Sequence, residues 1–286
     1  MPAHSPRAGR LAVASAITAL LLGAPVGAQG LRTVEFSRQL RDTLPIDVHV
    51  DYAAGKVILH GAEQPVLYQA QLAYDPRRSE PVYSYDAAAR RLRVGARRPA
   101  GEHTSGGETT ELRLDVARTV PVALTLQMGA AEADLDLGGM RITQLSVESG
   151  ASDALLHFDA PNLVPMQRLD LDVGAASLRA RGLANARARD VRVKVGVGTA
   201  ELDFGGEWVG DVELELQVAL GKATLRVPAD VGVRVETSRF IASFEREGFV
   251  RRGDAYYSDN WDAAPRKLHV RSRIVLGRLE LERGAN

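Results

Sequence analysis

The sequence predicts an all-β protein: a stacked-rung β-repeat domain of the β-solenoid kind, preceded by a smaller N-terminal β-domain and an export signal. Three observations carry this. After Gln29 apolar and polar residues alternate at a period of two almost throughout, the pattern of strands with one buried and one wet face. From Val122 the alternation recurs in copies spaced 21, 24, 22, 23 and 19 residues apart. A repeat of that length with two short strands per copy cannot bury its apolar edge alone, so copies must stack. The first 28 residues have a charge pattern of their own.

In that leader, Arg7 and Arg10 precede a charge-free run from Leu11 to Leu31. Its solidly apolar part, Leu11–Gly23, is 13 residues long, well short of the ~20 a spanning helix needs. Pro25 breaks any helix, and Val26-Gly27-Ala28 places small residues where a signal peptidase cuts. Residues 1–28 are therefore expected to be a signal peptide cleaved near Ala28, with the mature chain periplasmic or secreted.

Residues 29–118 read as the N-terminal β-domain. Val48–Tyr52 and Leu112–Val116 alternate cleanly, Gln64–Leu72 is a further strand, Pro76–Pro81 is turn-rich, and Arg98–Thr110 is a Gly-, Ser- and Thr-rich loop. Residues 119–286 read as the β-repeat domain. Around Gly129, apolar residues stand five, three and one positions before (Leu124, Leu126, Met128) and four, six and eight after (Ala133, Leu135, Leu137). Gly150, Gly174, Gly196, Ala219 and Ser238 head similar copies, a degenerate copy surrounds Arg273, and a half-match surrounds Ala53. Apolar positions are mostly Ala, Val and Leu, and aromatics make up only 5%, which suits a thin interior. The alternative is a β-sandwich, which needs no fixed offset between strand pairs. Charge supplies a register independent of the repeat search. Four residues before successive anchors stand Asp170, Arg192, Glu215 and Arg234, so parallel in-register rungs would set opposite charges ~4.8 Å apart. The same register puts Arg181 beside Asp203.

Composition removes several functions. With 36 basic and 36 acidic residues the net charge is zero, which gives no electrostatic case for nucleic acid. Zero cysteines exclude disulfides, thiolate metal sites, a cysteine nucleophile and a lipid-bearing N-terminal cysteine. His4, His49, His60, His103, His157 and His269 form no close ligand pair and read as solvated positions. There is no G-x-S-x-G and no P-loop; Gly196-Val197-Gly198 reads as a tight corner. The pairs Asp134/Asp136, Asp170/Asp172, Glu201/Asp203 and Glu213/Glu215 offer the two carboxylates that a glycosidase uses, but a spacing of two on an alternating strand only points both acids outward. No catalytic residue, metal ligand or cofactor is assigned. The one suggestive cluster is Tyr256-Tyr257-Ser258-Asp259-Asn260-Trp261, within an aromatic loop at 248–266. Tyr256, Tyr257, Asp259 and Trp261 could bind a sugar or peptide, or the loop could cap the open end of the stack.

Pro121–Trp208 resembles the bacterial toast-rack family, related to LiaF-like C-terminal domains and adhesin-type β-repeat domains. The resemblance lies in PVALTLQMGAAEADLDLGGM, LSVESGASDALLHFDAPN, LDLDVGAASLRARGLANA and VKVGVGTAELDFGGEW. Leu44–Gly95 resembles the N-terminal toast-rack domain through VHVDYAAGKVILHGAE, LAYD and PVYSYDAAARRLRVG. Together these cover most of Leu44–Val235. Ala219 stands where the family has glycine, and Thr237–Asn286 has no counterpart. Many relatives carry membrane helices, where this chain has only the signal. The resemblance implies an exported β-repeat domain with no established reaction, so no catalytic residue is carried over. The expected function is a non-enzymatic, structural or binding role in the cell envelope, with an envelope polymer or a membrane protein as the partner class. The alternative is a carbohydrate-active enzyme on a β-helical scaffold, which would need carboxylates or arginines converging in a concave site with shifted pKa values.

Overall fold

The computed structural model describes residues 30–98, 110–237, 241–244 and 248–284. The expected signal segment and nearly all of the Gly-Ser-Thr loop lie outside them. Regular structure among the described residues is entirely strand. In chain order the strands are β1 (Arg32–Gln39), β2 (Ile46–Ala62), β3 (Val66–Tyr74), β4 (Glu80–Asp86), β5 (Arg91–Arg97), β6 (Glu111–Ala117), β7 (Pro121–Asp136), β8 (Arg141–Ser149) and β9 (Asp153–His157). They continue with β10 (Arg168–Arg181), β11 (Asp190–Asp203), β12 (Val212–Pro228), β13 (Val231–Thr237), β14 (Ile241–Phe244), β15 (Phe249–Arg252), β16 (Ala255–Ser258) and β17 (Arg266–Gly284).

Two arms of alternating residues explain the tier that recurs. In β10, Leu169, Leu171 and Val173 are buried before Gly174, and Leu178 and Ala180 are buried after it. Gly174 and Ala175 are both exposed, so the strand turns a corner there and both arms face one core. Tiers then pair in parallel, like residue on like. Leu169 stands beside Leu145 on one side and Val191 on the other, and Val191 stands beside Leu214. Leu124, Leu145, Leu169, Val191 and Leu214 are all no more than 2% exposed. The offsets expected at Gly129, Gly150, Gly174, Gly196 and Ala219 match this register, and the half-match at Ala53 is a full tier, with Val48 beside Leu124 and Val57 beside Ala133.

The order of parallel neighbours is β5 with β6, then β2, β7, β8 with β9, β10, β11, β12, β17, and finally β13 with β14. This departs from chain order at both ends. β2 lies between β5/β6 and β7; β17 lies between β12 and β13/β14. Glu215 therefore stands beside Arg271, and Arg234 stands beside His269, instead of the expected Glu215–Arg234 neighbours. The last copy is also centred two residues later than Arg273, because Val218 pairs with Ile274 and Leu220 with Leu276. The copy assigned to Ser238 slips likewise, since Val235 pairs with Val270 and Ile241 with Leu276. A slip of one residue would turn every apolar side chain outward, but a slip of two keeps all of them inward. Hydrophobic patterning cannot detect it.

Antiparallel strands cover both ends. β4 pairs with β5, β3 with β6 and β1 with β3 at one end; β16 pairs with β13 and β15 with β16 at the other. Open strand edges invite further pairing, and covering them removes that hazard. Leu31–Asn286 form one compact unit. The boundary drawn at 118/119 falls between β6 and β7, which both pair with β2.

Candidate functional site

Several outward charges are engaged across neighbouring tiers. Arg192 reaches Asp170 at 3.9 Å and Glu215 at 3.1 Å, Lys194 reaches Asp172 at 3.7 Å, and Arg226 joins Glu201 at 3.3 Å to Glu282 at 2.8 Å. Arg181–Asp203 is not among the ion pairs of the described residues; Arg226, the next tier's residue beside Asp203, reaches past it. The acid pair Asp134/Asp136 is not simply solvated. His157 of β9 leans over it, with Nε2 3.5 Å from Asp134 and Nδ1 3.9 Å from Asp136 and 3.2 Å from Asp159. These are ion-pairing distances, and among the described residues no three His, Asp or Glu side chains are grouped to hold a metal ion.

A 580 Å³ cleft is lined by Glu215, Gln217, Glu236, Asp254, Arg271 and Arg273. A glycosidase acid would need its pKa raised. Glu215 is shifted the other way, below the usual carboxylate range, by the Gln217 amide and then by Arg192. Arg252 lowers Asp262 and Lys222 lowers Glu280 in the same manner. Carboxylates held ionised by neighbouring donors suit salt-bridged surfaces and not proton donation.

The aromatic loop sits on the last tier. β16 lies antiparallel to β13, with Tyr257 beside Arg234 and Tyr256 beside Val235. Alternation then sends the two tyrosines to opposite faces. Tyr256 is half-buried against the core. Tyr257 meets Trp261 edge-on at 5.2 Å, and Trp261 meets His269 at 5.2 Å. Cations complete the outer group. Arg234 donates to the Tyr257 hydroxyl at 3.0 Å, Arg252 lies 5.3 Å from the Tyr257 ring, and Lys267 lies 4.8 Å from the Trp261 ring. The polar residues of the motif bond to backbone. The Ser258 hydroxyl accepts the Val233 N–H at 2.8 Å, and the Asn260 amide donates to the carbonyls of Ala229 at 2.9 Å and Val231 at 3.3 Å. Asp259 is exposed. Sequence reasoning missed Arg234, Arg252, Lys267 and His269: the β13–β16 pairing brings Arg234 to the rings, the β15–β16 hairpin brings Arg252, and β17 beside β13 brings Lys267 and His269. The opposite end is built alike: Phe36 stacks on Tyr83 at 3.9 Å, Tyr83 shares a 2.8 Å hydrogen bond with Tyr68, and Arg38 covers Tyr85 at 4.4 Å.

Replacing both Tyr257 and Trp261 with alanine is expected to lower stability by about 2–4 kcal/mol, a fall of roughly 5–10 °C in Tm. A thermal melt followed by circular dichroism measures it; an unchanged midpoint would overturn the capping role of the rings.

Residues 31–160 match the family model for the N-terminal domain of toast_rack. No curated protein matches the sequence. Among solved structures, the chain is similar to a "putative cell adhesion protein" from Clostridium sporogenes, at 13% identity and a TM-score of 0.47, over 89% of this chain and 100% of that one. It is similar to a "putative adhesin" from Bacteroides fragilis at 8% identity and a TM-score of 0.33, over 87% and 97% of the two chains. It is also similar to a "putative lipid binding protein" from Parabacteroides distasonis at 7% identity and a TM-score of 0.38, over 91% and 96%.

Proposed function

For a chain that matches the toast-rack family over residues 31–160, we propose a non-enzymatic structural or binding role in the cell envelope, carried out by a stacked-rung β-solenoid after export. The observation that carries this reading is the in-register outer ladder. Asp170, Arg192, Glu215 and Arg271 stand side by side on successive tiers and alternate in sign. Such a ladder fixes a long, rigid surface through many weak pairs, and its donors lower the pKa of Glu215. That is a surface for presenting or spacing partners. In this reading Tyr256, Tyr257 and Trp261 close the far end of the stack, and exposed Asp259 is the motif residue left open to a ligand.

The leader supports export through its Arg-flanked, 13-residue apolar core and Val26-Gly27-Ala28. The expected outcome is that protein recovered from the periplasmic or secreted fraction begins at or near Gln29 by N-terminal sequencing. The tagged mature protein, captured from intact envelope, is expected to bring down an envelope polymer or a membrane protein. An intact chain anchored in the membrane would overturn export. Release of reducing sugar from an envelope glycan would overturn the non-enzymatic reading.

A further inference from the structure

The outer corner of the stack carries an apolar ridge. On successive tiers from β7 to β17 its apex residues are Ala130, Ala151, Ala175, Val197, Leu220 and Leu276, each exposed; Ala175, Val197, Leu220 and Leu276 stand in unbroken register. Val197 is 50%, Leu220 44% and Leu276 48% exposed, and Val275 beside them is 50% exposed. One side of the ridge is flanked by Gln127, Glu148, Asp172, Lys194, Gln217 and Arg273. The other is flanked by Glu132, Asp153, Ser177, Thr199, Lys222 and Arg278. Three gradients therefore run together over these six tiers. Side chains grow from alanine to leucine, and both flanking rows pass from acidic to basic, with the midpoint of all three between β10 and β11.

We propose that this ridge is a self-complementary interface, on which a second copy of the chain docks antiparallel about a two-fold axis between the β10 and β11 tiers. A two-fold contact brings residue i to j and j to i. Reversing the second ridge sets Ala175 against Val197, Ala151 against Leu220 and Ala130 against Leu276, small against large at every tier. The same reversal sets Asp172 against Lys194, Asp153 against Lys222 and Glu132 against Arg278, while Gln127 meets Arg273 and Glu148 meets Gln217. No like charges meet. A parallel pairing of ridges would instead set Arg273 against Arg278 and Glu148 against Asp153. An anionic lipid surface fits less well, because half of the ridge is acidic. The six tiers span about 24 Å at ~4.8 Å each. That narrow strip falls short of the ~800 Å² per partner typical of stable complexes, so the dimer is weak and salt-sensitive. This inference does not depend on export.

Sedimentation velocity of the full chain tests it, from about 1 to about 100 µM and at low salt against about 0.5 M NaCl. A monomer–dimer equilibrium that weakens at least tenfold in high salt is expected. Leu220→Asp should abolish it. Asp153→Lys and Lys222→Asp should each weaken it at least threefold, and the two together should restore it. Within one chain Asp153 and Lys222 stand three tiers apart, too far to act on each other; Lys222 also pairs with Glu280 at 2.6 Å, so melting temperatures report whether each variant folds intact. A monomer throughout, a dimer indifferent to Leu220→Asp, or a double swap without rescue would overturn the proposal. So would a monomer whose ridge binds phosphatidylglycerol vesicles.

Discussion

Gly277→Ala is expected to cost the protein more than about 4 kcal/mol, a fall in Tm exceeding roughly 10 °C. Gly198, Gly221 and Gly277 occupy the same corner position on three neighbouring tiers, at φ of 140°, 144° and 149°. Side chains rarely adopt that backbone conformation. A Cβ on Gly277 would also land inside the Gly221 carbonyl oxygen, and one on Gly221 inside that of Gly198. The obstacle is backbone within a paired ladder, so no rotamer relieves it. Gly210→Ala is the control: nothing lies within 4 Å of that Cβ, and its effect should stay within about 0.5 kcal/mol. Equal melting temperatures for the two variants would contradict the close stacking of the corners.

Asn162→Ala is expected to destabilise by about 3 kcal/mol or more. Asn162 is 0% exposed and lies in the return segment between β9 and β10. Its amide donates to the carbonyls of Ile142 at 2.8 Å, Val164 at 2.7 Å and Ala186 at 3.3 Å, and its oxygen accepts the Ile142 N–H at 2.8 Å. Truncation strands these buried backbone groups, at about 1–3 kcal/mol each. Urea denaturation reads the loss directly; a change below about 1 kcal/mol would mean that water replaces the amide.

Period-two alternation and the offsets around glycine were enough to read the inward face of every tier from Ala53 to Ala219. The corner positions follow from the same pattern, because two inward arms need an interruption between them. Tier order was not legible. A strand's apolar pattern says which face is buried but not which strand lies beside it, and Val235 suits Leu216, its expected neighbour, as well as it suits Val270. Charge alternation pointed to Arg234 as the neighbour of Glu215 because Arg271, the residue that does stand there, has the same sign. The role of Asn162 was invisible for a related reason: its partners belong to Ile142 and Ala186, some twenty residues away on either side. The aromatic motif was visible as a cluster, whereas Arg234 reaches it only because the fold pairs β13 with β16.

The insertion of β17 between β12 and β13/β14 has a consequence for biogenesis. Chain emerging from the ribosome in order can add β8/β9, β10, β11 and β12 one after another, each onto its predecessor. β13 and β14 break that sequence. They are made before β17, yet their parallel partner is β17. Until residues 266–284 emerge, β12 lacks its parallel neighbour β17, and β13 can pair only with the antiparallel β16. A chain halted near residue 265 is thus not a shorter stack with a tidy end, but a stack with its closing strands detached. Truncation from the C-terminus removes an interior member first. Closure of the stack between β12 and β13/β14 waits for β17.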